Sequence, residues 1–110
     1  MEPIDIDAVA ARLDGETELF AEPLSEESMS VGVYRLAAGA TDPQEPHAED
    51  EAYYVLSGQG KLRVGETVHD LEPGALVYVE REVDHEFFDI TAALTTLVFF
   101  APAYGSLEPT

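Results

Sequence analysis

A chain of 110 residues, 45% of them hydrophobic, can close one hydrophobic core and has no room for a second. Its 23 acidic side chains against 5 basic ones leave a net charge of −18, a field that repels phosphate backbones and anionic lipid, so nucleic-acid and membrane partners are excluded. Cysteine is absent, which removes disulfides, thiolate metal sites and cysteine nucleophiles and leaves His, Asp and Glu as the available metal ligands. The acids are spread along the chain, as on a solvated surface suited to a salt-adapted organism. No basic segment precedes an apolar run at the start, and no stretch reaches the length of a membrane span, so a soluble cytoplasmic protein is expected.

Ile6, Val9, Ala10 and Leu13 recur at helical spacing, which predicts a short amphipathic helix over residues 5–14, with Asp5 or Asp7 as N-cap and Gly15 as its end. Residues 16–24 suit an edge strand around Leu19 and Phe20, limited by Pro23. Met29, Val31 and Val33 alternate with Ser30 and Gly32 in a half-buried strand pattern that continues to Leu36, and residues 37–46 read as a Gly- and Pro-rich loop. Six short strands are expected after it: 52–56, 61–64, 67–71, 75–79, 85–90 and 94–100. Ser57-Gly58-Gln59-Gly60, Gly65-Glu66 and Glu72-Pro73-Gly74 are read as turns between them. Strands at this spacing argue for one antiparallel sandwich or barrel spanning about residues 17–102, followed by a tail at 103–110.

Glu45, His47 and Glu51 fall within seven residues, just ahead of the apolar run from Ala52. Extended backbone puts Glu45 and His47 on one side, and Glu51 shares their parity. Imidazole with carboxylate suits a divalent ion such as Mn, Fe, Ni or Zn. Tyr53 follows on the inward parity of Glu51. Farther on, His85, Phe87 and Asp89 share one face. Asp89 is there either an acceptor that fixes a ligand imidazole or a surface acid. His69 is expected to be an exposed hairpin residue. A nucleophile elbow of the Gly-x-Ser-x-Gly type and a Gly-rich phosphate loop with Lys are both missing, which sets aside serine hydrolase and nucleotide chemistries.

These residues resemble the cupin superfamily, in particular its small single-domain members. Gly39, Glu45-Pro46-His47, Glu51 and Gly58 fall at the spacings of the family's first motif, with Glu45 where the first of two His is expected. Gly74, Glu80-Arg81-Glu82, His85 and Asp89 fall on the second motif, whose Pro, Gly and Asn are replaced. The resemblance implies an all-β jelly-roll barrel, here with a short N-terminal helix, holding a divalent transition metal on His47, Glu51, His85 and Glu45. Asp89, Tyr53 and Phe87 would support or line the site. With Glu45 the set is two His and two carboxylates. Without it, His47, Glu51 and His85 form a two-His-one-carboxylate arrangement with open positions. The family likeness further implies a homodimer and a small polar organic ligand or substrate, handled by a dioxygenase or an isomerase-like enzyme or bound without turnover.

Overall fold

The computed structural model describes residues 1–13, 19–40, 42 and 46–107. Among these residues one helix, α1 (Ile6–Leu13), precedes six strands: β1 (Phe20–Ser25), β2 (Ser30–Leu36), β3 (Asp50–Val64), β4 (Thr67–Leu71), β5 (Leu76–Val79) and β6 (His85–Ala101). Every pairing is antiparallel, in the order β1-β2-β6-β3-β4 with β5 added beside β3. The expected mostly-β architecture with a short N-terminal helix is therefore present. No helix among the described residues is long and apolar enough to cross a membrane.

The helix begins where capping chemistry puts it. Asp5 Oδ1 accepts a hydrogen bond from the Ala8 N–H at 3.1 Å, which singles out Asp5 over Asp7 as the N-cap. The apolar stripe of α1 buries Val9 and Leu13 against Val33 of β2 in a small satellite core. Burial of such side chains stabilises by roughly 1.5–3 kcal/mol each. Val33 thus belongs to the outer face of its strand, under the helix. Tyr34 and Leu36 join the main core, together with Tyr53, Val55, Leu62, Phe87, Leu94 and Val98. Gly15, expected to end the helix, lies outside the described residues.

Two expectations about the strands change. Ser57-Gly58-Gln59-Gly60 is not a turn: β3 runs unbroken from Asp50 to Val64, and β6 from His85 to Ala101 replaces two predicted strands. Pairing between them shifts register at Val55/Ser57, Ser57/Gln59 and Gln59/Lys61, so the ribbon bulges at these places. Gly58 has φ 95°, and a Cβ there would sit 2.1 Å from the Ala93 carbonyl oxygen. Glycine is required here because the two backbones touch. It permits a bend in a continuous strand rather than a chain reversal.

That bend decides the shape of the molecule. Glu51 of β3 pairs with Phe100, whereas His85 at the start of β6 pairs with Val64 at the far end of β3. Along a flat ribbon, at ~3.3 Å per residue, these two sites would lie roughly 40 Å apart. Their side chains instead approach to 3.7 Å. The β3–β6 ribbon curls until its ends face one another, and the cavity lies inside that curl.

Candidate metal centre

Glu51 enters the interior on the second residue of β3, between Val79 of β5 and Phe100 of β6. His85 opens β6. His47 precedes β3 in a segment laced to the turn before β6: the His47 carbonyl accepts the Glu82 N–H at 2.7 Å, and Asp50 Oδ1 accepts the Arg81 N–H at 2.9 Å. The Arg81 backbone hydrogen bond, with further help from the guanidinium, lowers the Asp50 pKa below the usual carboxylate range. These ties bring both imidazoles to one carboxylate. His47 Nε2 and His85 Nε2 each lie 3.7 Å from Glu51 Oε1.

The ligand atoms of His47, Glu51 and His85 all lie within 4.8 Å of one another. Metal bonds of ~2.0–2.2 Å place donors at most roughly 4.4 Å apart, so small side-chain shifts suffice to hold an ion. The donor chemistry agrees. His85 Nδ1 lies 3.1 Å from the Val83 carbonyl, which can only accept, so Nδ1 carries the proton and Nε2 presents a lone pair to the cluster. Glu51 is 2% exposed, and its Oε2 is buried without a hydrogen-bond partner. Burial raises the Glu51 pKa, opposed by a hydrogen bond from Tyr53 and by the two imidazoles. A desolvated carboxylate with a spare oxygen, beside the lone pair of His85 Nε2 and the second imidazole of His47, fits a divalent ion.

Tyr53 is buried, with its hydroxyl 3.4 Å from His85 Nε2. Burial pushes its phenol pKa well above the ordinary value, and the neighbouring Glu51 charge adds to this, so Tyr53 is a neutral donor beside the cluster. Phe87 packs edge-on against Tyr53 at 4.9 Å and is fully buried. Glu45 lies outside the described residues. Asp89 does not serve the site: its backbone turns to φ 50° within the bulged stretch of β6, its side chain is exposed, and the Val83 carbonyl occupies the imidazole position foreseen for it. His69 is half-buried on β4 opposite Leu62, outside the cluster.

Beside the triad is a cavity of about 270 Å³, lined by His47, Tyr53, Phe20, Tyr34, Phe100, Tyr104 and Val98. Tyr34 donates a short hydrogen bond to Asp42, a buried carboxylate that also accepts the Phe87 N–H at 3.2 Å. Tyr104 lies in the stretch expected to be a tail. Its N–H is instead anchored on Ser30 Oγ at 2.9 Å, and its ring meets His47 at 5.4 Å and Phe100 at 4.8 Å. Sequence periodicity stops at Pro102, so Tyr104 carried no pattern to reveal it. Tyr34 was readable only as a strand residue.

An antiparallel β-fold whose curled ribbon holds two His and one Glu beside an open-mouthed cavity defines a small barrel protein with a candidate metal centre. The sequence profile of the cupin domain matches residues 32–100. An uncharacterized protein of Streptomyces coelicolor (strain ATCC BAA-471 / A3(2) / M145) is 39% identical over 102 residues, covering 93% of this chain and 97% of that protein. The chain belongs to the cupin-domain family. Among solved structures, TT1209 from Thermus thermophilus superposes with a TM-score of 0.75 at 28% identity, over 94% of this chain and 99% of that one. The DMSP lyase DddQ from Ruegeria pomeroyi DSS-3 gives a TM-score of 0.71 at 22% identity, over 83% of this chain. The chain spans about half of that lyase, 48% of its length, and the likeness concerns the fold alone.

Proposed function

We propose that the protein is a metal-dependent cupin enzyme that binds a divalent transition ion on His47, Glu51 and His85 and acts on a small oxygen-bearing organic molecule, by dioxygenation or by an isomerase-like reaction. One observation carries the reading. Three donor atoms lie within 4.8 Å of one another, close enough for small side-chain shifts to bring them onto one ion, with one Glu51 oxygen desolvated and unpaired, at the wall of a cavity. An ion held there supplies Lewis acidity and, if redox-active, access to oxygen chemistry. The chain's own residues do the rest. Val83 fixes the His85 tautomer, the neutral Tyr53 hydroxyl holds a proton next to Glu51 and His85, and the aromatic walls restrict water.

Metal analysis of protein purified without a metal-affinity tag tests this. About one transition ion per chain is expected, falling to background in His47→Ala and His85→Ala. Substoichiometric metal that neither substitution reduces would defeat the proposal. Stoichiometric metal with no O₂ uptake and no turnover across a substrate panel would leave a binding barrel rather than an enzyme. Self-association is part of the same reading. The strands β1 and β4 end the sheet order, and pairing of edges between two copies predicts a sedimenting dimer.

A further inference from the structure

The walls of the cavity say more about its occupant than the ligand triad does. Phe20, Phe100 and Tyr104 form a contiguous aromatic surface, with ring centroids 4.8–6.5 Å apart, and Tyr104 continues it onto the His47 ring at 5.4 Å. Tyr34 and Tyr53 complete the aromatic lining, both packed on Phe87. Their hydroxyl protons are already committed, Tyr34's to Asp42 and Tyr53's to Glu51, so these two rings offer π faces and edges in preference to hydrogen-bond donors.

Positive charge is missing from the lining. Arg63 pairs with Asp84, Arg81 with Asp50 and Lys61 with Asp70, Arg35 donates to Thr95, and Arg12 is exposed in α1. These are all 5 basic side chains of a molecule with net charge −18. A phosphate or a sugar acid would enter against that field and find no side-chain cation on the walls, so the ion on His47, Glu51 and His85 would be its one positive partner, whereas the rest of the lining favours a neutral body. A polyol would leave most of its hydroxyls facing carbon. A flat uncharged ring loses neither way, because stacked and edge-on aromatic contacts contribute about 0.5–1.5 kcal/mol each beyond area burial. The volume of about 270 Å³ lies at the small end of ligand pockets, which run ~300–1,000 Å³, and suits one or two rings.

Building on the proposed function, we infer that the molecule acted on is a small planar aromatic compound. Its oxygen substituents are directed at His47, Glu51 and His85, and its ring is held between the Phe100–Tyr104 wall and Tyr34. Tyr104, 44% exposed and anchored through Ser30, covers the ring at the mouth of the cavity.

Calorimetric titration of zinc-loaded and chelator-treated protein with catechol, cyclohexane-1,2-diol and malonate tests the inference. Catechol is expected to bind at least about tenfold more tightly than the diol in both forms, which isolates the ring because the two probes carry the same pair of oxygens. Tyr104→Ala is expected to weaken catechol roughly three- to tenfold, with malonate unaffected, zinc uptake still stoichiometric and affinity regained in Tyr104→Phe. The inference is overturned if the diol or malonate equals catechol on the metal-free protein, or if Tyr104→Ala leaves catechol binding unchanged. Failure to take up zinc defeats the proposed function instead, and the comparison on metal-free protein still decides between ring and no ring.

Discussion

Three buried carboxylate oxygens, both of Glu49 and one of Glu51, have no hydrogen-bond partner, and they are the only such side-chain atoms among the described residues. They differ in surroundings. Glu51 faces two imidazoles and a phenol, whereas Glu49, 1% exposed, lies outside the group of potential ligands. Removing an unpaired buried carboxylate relieves its desolvation. Glu49→Leu is therefore expected to raise stability by roughly 1–3 kcal/mol in urea unfolding. A loss of stability would show that a cation neutralises Glu49 in solution. At Glu51 the expectation is different: Glu51→Gln should lower metal affinity by more than the ~10–100-fold that loss of a supporting hydrogen bond costs, as measured by competition with a chelator. His47, Glu51 and His85 could be found from sequence because parity and motif spacing are local properties. Asp89, which sequence leaves open between an imidazole acceptor and a surface acid, is exposed because a bulge in β6 reverses parity, and a bulge depends on the partner strand. Tyr104 depends wholly on tertiary packing.

Among the elements, the bend in the long ribbon is the one most exposed to a single substitution. Gly58→Ala combines a left-handed φ with a contact against backbone that cannot move aside, and is expected to cost at least about 3 kcal/mol, seen as a large drop in Tm or as insoluble protein. Asp5→Ala is expected to cost only about 1 kcal/mol, since it removes one cap from a helix whose apolar face still packs on Val33. Equal and small effects of both substitutions in thermal unfolding would contradict this account of the bend. The helix, the β4 hairpin and the positions of the short strands were legible from periodicity and turn residues. Continuity of β3 through two glycines was not. Glycine ordinarily marks a chain reversal, and only the proximity of Ala93 reveals that it serves close approach here.

For the whole molecule, the charge of −18 opposes compaction, and the opposition is long-ranged. Raising salt from 0.1 M to 1 M shortens the screening length from ~10 Å to ~3 Å, so Tm is expected to rise over that interval. A Tm that fell or stayed level would show that the surface acids do not limit stability. A metal bound at His47, Glu51 and His85 would add a separate increment: at a free concentration 100 times Kd, a site absent from the unfolded chain is expected to contribute about 2.7 kcal/mol to the stability measured by urea unfolding, removable with chelator.

That increment has a particular address. Glu51 and His85 sit at opposite ends of one curled ribbon, so an ion bridging them would act as a clasp that ties a spring end to end. Whatever tightens the clasp must disfavour the uncoiled ribbon, and whatever favours uncoiling at the Gly58 bend must weaken the grip on the ion, by the same factor in the two equilibria. Amide exchange along residues 55–61 and 88–95 should therefore report occupancy of a centre whose ligands lie outside both stretches.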